Sequence, residues 1–148
     1  MRIEEIRGTD KIEEFLPLLA QHRDELATHK HLMVVKPDME KYRAMEDNGL
    51  MTTLALYDGD RIVGYSVIFF FNNLHYADLI YAQNDVLFVH PRYRNGLWGV
   101  RLIKRTERIA KQRGAQMILF HGKPNTVFSS LMPRLGYGVQ DIMFSKEL

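Results

Sequence analysis

The sequence predicts an α/β fold in which helices cover a mixed β-sheet. Three observations indicate this: strand-like and helix-like segments alternate along the chain, a hairpin signal joins two long apolar segments, and no linker, repeat or low-complexity tract interrupts the 148 residues. That length favours one domain, residues 1–148, and allows a self-contained core. A composition of 46% hydrophobic and 26% charged residues is typical of a globular protein.

Composition and charge also exclude several classes of protein. The absence of cysteine removes disulfides, a thiolate nucleophile and cysteine-bound zinc. A net charge of +2 is too small to indicate nucleic acid by itself. The longest apolar segment, near 67–71, is far shorter than a membrane span, and the N-terminus lacks the features of a signal peptide. We therefore expect a cytoplasmic protein without a membrane partner.

The N-terminal segment predicts a strand followed by a helix. Residues 1–7 carry isoleucines in a strand-like pattern. From there to Leu26, apolar side chains recur at helical spacing and form one face. Thr9 or Asp10 would be the N-cap of this helix, because a side-chain oxygen there accepts an otherwise unpaired amide proton.

A second helix and a hairpin are predicted next. The helix is expected over 36–49, with Pro37 in its first turn and Asn48-Gly49 at its end. Asp58-Gly59-Asp60 then separates two apolar segments, a typical hairpin signal because glycine supplies the positive φ of a tight turn.

The second half alternates between strand and helix. We predict a strand ending at 86–89, a helix ending at Gly114, a buried strand at 116–121, a short helix over 125–136 that Pro133 interrupts, and a closing strand in 137–148.

The sequence "VHPRYRNGLWGVRL", residues 89–102, turns sharply from strand to helix. Such a turn exposes backbone N–H groups at a helix start, where they and the helix dipole attract phosphate. Gly96 and Gly99 permit a close approach of the backbone, and Arg92, Arg94 and Arg101 add positive charge. A tight turn with solvated arginines is the alternative, and local features alone do not decide between the two.

Two motifs resemble those of the GNAT superfamily of acyl-CoA-dependent N-acetyltransferases. The first is V-x-P-x-Y-R before a glycine and a helix, formed by Val89, Pro91, Tyr93, Arg94 and Gly99. The second pairs Asn125 with Gly136-Tyr137 downstream. Both stand in the family's order and separation, and the whole layout fits the family, most similarly its small phage-type members.

The resemblance implies a GNAT-like fold, with a central, mostly antiparallel mixed sheet, splayed parallel strands and flanking helices. It also implies acetyl-CoA as co-substrate and no metal. The partner would be a small-molecule or peptide primary amine, acetylated directly without an acyl-enzyme. A homodimer is compatible with the family. By resemblance, the cofactor-binding residues are Phe88, Val89, Arg94, Asn95, Gly96, Leu97, Trp98, Gly99, Asn125 and Ser129.

Two positions depart from the family pattern. Leu97 stands where the family usually has the first glycine of the pyrophosphate loop, which here extends from Arg94 to Gly99. The Cβ of Leu97 narrows that loop. Met132 stands where many members carry a tyrosine that protonates the CoA thiolate, and a thioether donates no proton. Ser129 and Ser130 are nearby substitutes. These departures leave a second interpretation open, a catalytically inactive module that senses CoA or binds a macromolecule.

Asp85 is the leading candidate for the general base, acting through water. Strand alternation would place it on the same side as Gln83, Leu87 and Val89, and partial burial would raise its pKa toward usefulness. Its alternative role is to form a turn. His121, at the end of the next strand, is the second catalytic candidate because its ordinary pKa is near neutral, and its alternative role is packing.

The other polar candidates each have a structural role as the alternative to a functional one. His22 lies on an apolar helix face and is expected to be a hydrogen-bonded core residue. His75-Tyr76 belongs to a loop or faces the acceptor pocket. His29 and His31 have metal-like spacing but no nearby carboxylate. The last set is a basic stripe formed by Arg101, Lys104, Arg105, Arg108 and Lys111. It is a solvated face, a contact for the 3′-phosphate of CoA or a surface for an acidic partner, with nucleic acid as a third function class that no aromatic interleaving supports.

Overall fold

The computed structural model describes all 148 residues and contains one five-stranded sheet. The strands are adjacent in the sheet in the order in which they occur in the chain. The pairings of the first with the second, the second with the third and the third with the fourth strand are antiparallel. The fifth strand is parallel to the fourth. The strands are β1 (Arg2–Ile6), β2 (Met51–Asp58), β3 (Arg61–Asn72), β4 (Ile80–Val89) and β5 (Met117–Phe120). This confirms the predicted mixed, mostly antiparallel sheet.

Four α-helices flank the sheet: α1 (Ile12–Leu26), α2 (Met39–Asp47), α3 (Trp98–Gln112) and α4 (Val127–Leu131). Short 3-10 turns lie at Gly8–Lys11, Pro91–Tyr93 and Met132–Leu135. None of the helices combines the length and the hydropathy that crossing a membrane requires.

The sheet separates two apolar layers. Phe15 and Leu18 of α1 pack with Tyr65, Phe88 and other residues on one face. On the opposite face, Leu102 and Ile109 of α3 join a cluster that includes Val89. The buried residues of α3 recur at helical spacing from Leu102 to Ala110, so this face of the helix covers the sheet.

The predicted N-caps of α1 are wrong. The chain enters α1 through a 3-10 turn, and the cap position, Lys11, makes no side-chain cap bond. Thr9 instead donates its hydroxyl to Glu46 of α2 at 2.5 Å. A tertiary partner thus takes the hydroxyl that a local cap would use.

The start of α2 also differs from the prediction, whereas the turns agree with it. Asp38 caps the helix by accepting from the amide of Lys41, so Pro37 precedes the cap and lies outside the first turn. Asn48 is the C-cap, and Gly49 follows with φ of 67°. Gly59 has φ of 58° in the predicted hairpin between β2 and β3.

The predicted closing strand does not form. Residues 138–148 pair with no strand, and their large apolar side chains are exposed. The tail starts beside α3, where Tyr137 donates to Glu107 at 2.6 Å. Near the end of the tail, Glu147 lies 3.0 Å from His31, which belongs to the connection between α1 and α2. This course leaves the tail without a neighbouring backbone, and strand-like side chains alone do not make a strand.

A β-bulge interrupts β4. Val86 is opposite Val67 and Asn84 is opposite Ile68, so Asp85 is an extra residue without a counterpart on β3. The side-chain amide of the buried Asn84 donates to the carbonyl of Val67 at 2.9 Å and to that of Val86 at 3.2 Å. It also contacts the Ser66 hydroxyl at 2.8 Å. Asn84 thereby satisfies groups that the bulge removes from the ladder.

We predict that Asn84→Ala destabilises the fold by about 1–3 kcal/mol, because it leaves the buried Ser66 hydroxyl and two carbonyls with fewer partners. Chemical denaturation measures the difference. Asn48→Ala is the matched control, since its amide bonds the Ala44 carbonyl at an exposed helix end. Equal losses in the two variants would contradict the role assigned to Asn84.

Candidate active site

The two parallel strands separate halfway along β4. Their pairing extends from Tyr81 opposite Met117 to Asn84 opposite Phe120, where β5 ends. From Asp85 to Val89, β4 therefore has a free edge on that side. The predicted splay is present, and it begins at the bulge.

Backbone groups of β4 point into this opening. The amide of His90 donates to the carbonyl of Val63 at 2.8 Å, which makes these two residues a hydrogen-bonded pair. In an antiparallel ladder the next pair does not exchange hydrogen bonds, so the N–H and C=O of Val89 point away from β3. The same alternation applies to Leu87. A ligand in the splay thus finds two strand residues with outward-facing backbone groups.

The strand-to-helix corner forms an open cleft of about 390 Å³. No acceptor within the protein binds the backbone amides from Leu97 to Val100, and Leu97 makes no side-chain cap bond. Arg101 lies over the Trp98 ring at 4.6 Å. Unpaired amides at a helix start, together with arginines, make a site for an anion. The cleft is lined by Arg92, Tyr93, Asn95, Gly96, Leu97, Trp98 and Arg101.

The corner is anchored to the rest of the sheet. The Tyr93 hydroxyl donates to Asp58 at 2.9 Å and accepts from Arg61 at 3.3 Å. Both partners flank the β2–β3 hairpin. The tyrosine of the first motif therefore positions the cleft through the hairpin that the sequence predicted separately.

Arg94 does not line the cleft. Its Nε donates to the carbonyl of Val89 at 2.6 Å, and its Nη2 pairs with Glu25 of α1 at 2.7 Å. The guanidinium also lies 5.2 Å from the centre of the Phe88 ring. In this structure Arg94, the arginine of the first motif, thus faces the splay and α1, whereas Arg92 and Arg101 supply the charge in the cleft.

Asp85 lies at the start of the splay with a half-buried side chain. Burial raises the pKa of Asp85 above its ordinary value of 3.8, and the nearby His121 lowers it. The predicted direction is confirmed. The structure also places the two catalytic candidates near each other, because Asp85 and His121 directly follow Asn84 and Phe120, the last opposed pair of β4 and β5.

Two tyrosines share this environment. Burial raises the pKa of Tyr42 on α2, and the charge of Asp85 raises it further. Burial also raises the pKa of Tyr65 on β3, with smaller contributions from Tyr42 and Asp85. Asp85 therefore faces the α1–α2 side of the sheet, whereas Val89 packs toward α3. The predicted common side for these two residues is wrong, because the bulge reverses the alternation between them.

His22 is hydrogen-bonded and packed against aromatic rings, as predicted, but it lies at the edge of the core with its side chain half-buried. Its Nδ1 is 2.9 Å from the Tyr65 hydroxyl, and its ring stacks on Phe88 at 5.0 Å. Burial lowers the pKa of His22 from 6.5, Glu25 raises it and Arg94 lowers it. The neutral ring is thus favoured next to the end of β4.

Asn125 of the second motif lies just before α4, whereas Gly136-Tyr137 follows the 3-10 turn Met132–Leu135 after that helix. Asn125 has φ of 60°, a conformation in which asparagine is common. The Ser129 hydroxyl donates to the Thr126 carbonyl at 2.9 Å and accepts the Thr126 amide at 3.0 Å. Ser130 donates to the same carbonyl at 3.1 Å. Both serine protons are therefore engaged in capping α4.

Met132 and Tyr137 do not supply a free proton donor. Met132 is buried. Tyr137 donates its hydroxyl proton to Glu107, and burial and that bond raise its pKa. Neither side chain replaces the tyrosine that the family pattern places at position 132.

The remaining polar candidates lie elsewhere. His75-Tyr76 belongs to an exposed loop before β4, at the end of that strand away from the splay. His29 and His31 flank Glu147, at 3.9 and 3.0 Å. No group of three or more histidine and carboxylate side chains is arranged to hold a metal ion.

Comparison with known proteins identifies the family. The sequence model of the acetyltransferase (GNAT) family matches residues 16–137. This chain belongs to the GNAT family. No curated protein matches the sequence at a significant level.

Solved GNAT structures share the fold. A ribosomal-protein-alanine N-acetyltransferase from Brucella melitensis biovar Abortus 2308 superposes with a TM-score of 0.73 at 15% identity, covering 100% of both chains. An aminoglycoside acetyltransferase from an uncultured soil metagenomic sample, solved with sisomicin, gives 0.76 at 15%, covering 99% of this chain and 95% of its own. An aminoglycoside N-acetyltransferase solved with CoA gives 0.72 at 13%, covering 99% of both. Identities this low establish the fold alone.

Sequence reasoning missed Tyr42, Tyr65 and Glu25. Each comes from an element other than β4, namely α2, β3 and α1, and none belongs to a motif. The two tyrosines read as apolar members of a helix and a strand. The indirect signal in the sequence is the position of Asp85 inside a predicted strand. The structure shows a bulge at this residue, and bulges are common next to active sites.

We predict that Asp85→Asn stabilises the GNAT protein near neutral pH. The pKa of Asp85 is higher in the folded state than in the unfolded state. Between these two pKa values the folded state binds more protons than the unfolded state. Stability therefore falls as the pH rises from about 4 through that range. The gain from the substitution should disappear as the pH is lowered toward 4. Denaturation at several pH values measures it.

Asp78→Asn is the control, because Asp78 is exposed and makes no ion pair. A lower stability of Asp85→Asn at neutral pH would show that the ionised carboxylate is favourably bound.

Proposed function

We propose that this protein is an acetyl-CoA-dependent N-acetyltransferase that transfers an acetyl group directly to a primary amine. One observation carries the proposal: the free edge of β4 leads straight into the cleft at the start of α3. A thioester on a long arm with a diphosphate needs these two features in this order. Membership of a family that uses acetyl-CoA supports the same co-substrate.

The diphosphate of the coenzyme binds the amides between Leu97 and Val100, with Arg92 and Arg101 as counter-ions. The pantetheine arm pairs with the outward-facing backbone groups of Val89 and Leu87. Gly96, Asn95 and Trp98 line the same cleft. In the family pattern Phe88, Gly99, Asn125 and Ser129 complete the binding surface, and we retain them as parts of the proposal.

Transfer proceeds in one displacement. The amine nitrogen attacks the thioester carbonyl carbon, the carbonyl oxygen takes up negative charge, and the C–S bond then breaks to release the CoA thiolate. A backbone N–H of the free β4 edge stabilises that oxygen. The proton released by the amine passes through water to Asp85, with His121 beside it. The thiolate takes its proton from solvent, because no side-chain donor is free at position 132.

The raised pKa of Asp85 suits this role. A base works best when its pKa is close to the operating pH, and desolvation moves a carboxylate in that direction. Its position at the first unpaired residue of the splay brings it next to the thioester end of the arm. Holding amine and thioester together supplies much of the remaining rate enhancement.

The acceptor is a small-molecule or peptide amine. Structural neighbours named for an aminoglycoside and for a ribosomal-protein alanine illustrate the two classes. We further propose a cytoplasmic enzyme whose 148 residues act as one domain, either alone or as a homodimer.

A catalytically inactive CoA-binding module is the second candidate. The buried Met132 and the engaged hydroxyls of Ser129 and Ser130 favour it, because they leave no acid for the thiolate. Coenzyme binding without acetyl transfer to any amine of a broad panel would identify such a module.

We predict that acetyl-CoA binding changes the intrinsic fluorescence of the protein, because its single tryptophan, Trp98, lines the cleft. Gly96→Ala should weaken binding about tenfold or more, the effect of displacing one well-placed contact. A Cβ at Gly96 meets no atom within 4 Å, so the substitution adds a methyl group to the cleft without disturbing the fold. Calorimetry with acetyl-CoA measures the affinity.

Gly138→Ala is the matched control, since Gly138 also has free space around it and lies in the tail. An absence of any heat or fluorescence change with millimolar acetyl-CoA would refute the proposed function.

We predict that Asp85→Asn lowers kcat about 10²–10⁴-fold, the usual contribution of a general base, while acetyl-CoA affinity stays unchanged. The pH–rate profile should lose its acidic limb. Asp78→Asn is again the control. Full turnover in both Asp85→Asn and His121→Ala would show that the base lies elsewhere.

A further inference from the structure

Arg94 joins three parts of the molecule at the end of β4. Its Nε donates to the carbonyl of Val89, its Nη2 pairs with Glu25 at the C-terminal end of α1, and its guanidinium lies over Phe88. The side chains of Arg94 and Glu25 remain partly exposed, at 43% and 31%. We call this Glu25–Arg94–Val89 arrangement the clasp.

The clasp occupies a group that the coenzyme needs. The Val89 carbonyl faces the splay, where the pantetheine arm of the proposed function would pair with it. Arg94 already binds this carbonyl at 2.6 Å. A second donor at the same oxygen competes with the guanidinium, so pairing with the arm requires Arg94 to move or to share its acceptor.

The same guanidinium is within reach of the anion cleft. Arg94 stands between Tyr93 and Asn95, which both line it. Its long, flexible side chain is rooted at the rim, and a guanidinium binds phosphate oxygens with two parallel hydrogen bonds. Its bonds to Glu25 and Val89 and its contact with the Phe88 ring hold it away from the cleft.

We propose that the diphosphate of the coenzyme opens the clasp, drawing Arg94 from Glu25 and Val89 into the cleft. This inference rests on the proposed function. It makes Glu25 a positioning residue that competes with the coenzyme for Arg94 and lowers its affinity. Opening releases the Val89 carbonyl for the pantetheine arm, so the two ends of the cofactor site form together.

The strength of the ion pair favours exchange. Partly exposed ion pairs contribute little because water screens both charges. A diphosphate offers more charge and more acceptor oxygens than one carboxylate, at the end of a helix whose dipole also attracts anions. Arg94 therefore gains by exchanging Glu25 for the ligand.

The test is the affinity of the Glu25→Gln variant for CoA, measured by calorimetry and by Trp98 fluorescence. We expect CoA to bind about two- to fivefold more tightly than to the wild type, the range that a partly exposed ion pair contributes. Tighter binding is a result that a purely structural role for Glu25 would not give, since loss of a structural contact weakens binding. Unchanged or weaker binding would overturn the clasp.

Two further variants separate the clasp from a general change in charge. Asp24→Asn removes the same charge from the adjacent residue, whose carboxylate pairs with Arg23 at 2.8 Å, and it should leave the affinity unchanged. In an Arg94→Gln background, Glu25→Gln should have no further effect, because its competitor is absent. An equal gain in Asp24→Asn, or a persisting gain without Arg94, would overturn the clasp in favour of bulk electrostatics.

Failure of the clasp differs from failure of the proposed function. If the wild type binds CoA and Glu25→Gln does not bind it more tightly, only the clasp is refuted. If no variant binds CoA, the proposed function falls and the clasp falls with it.

Discussion

The side-chain amide of Asn84 holds a break in β4, and the candidate active site takes its position from that break. The amide donates to the carbonyl of Val67 on β3 and to that of Val86, which follows the extra residue on β4. Ser66 and Thr106 connect it to α3 through a buried hydroxyl pair at 2.9 Å. A polar network in an apolar layer is stable only when its members are satisfied. No buried side-chain polar atom of this protein lacks a partner. The bulge is thus a fixed part of the fold.

Two consequences follow from the bulge. Asp85 turns toward α1 and α2, where burial raises its pKa, and the strand beyond it separates from β5, so its outer edge has no strand partner. One inserted residue therefore places a partly desolvated carboxylate next to an open strand edge. The acetyl transfer that we propose would use this combination, with the carboxylate as base and the strand edge as the place where the thioester is held.

Charge is divided along β4. At the start of the splay, Asp85 lies near the buried Tyr65 and the partly buried Tyr42, whereas the end of β4 meets the arginines and free amides of the corner. An elongated ligand with an anionic end and a reactive thioester end fits this division in one direction only. Helix α1 connects the two regions, because His22 contacts Tyr65 and Glu25 contacts Arg94.

The sequence by itself determined the local elements and the corner. The spacing of apolar residues predicted α3, the Asp58-Gly59-Asp60 signal predicted the hairpin, and glycines after helices predicted left-handed ends such as Gly114 with φ of 84°. These features depend on neighbours within a few residues, so the sequence contains the necessary information. The two motifs added the family, which the match over residues 16–137 confirms.

Only the tertiary structure decided which groups meet. The bulge reversed the side of β4 that Asp85 faces, because strand alternation holds only where pairing is regular. Contacts across the chain directed Thr9 to Glu46 and Arg94 to Glu25, instead of to the cap and the cleft that their local sequence predicted. The closing segment shows the same limit, since a strand needs a partner edge and its own residues do not specify one. Local sequence patterns determine the preferred backbone conformation, whereas partners 30 or more residues away determine which group a polar side chain contacts.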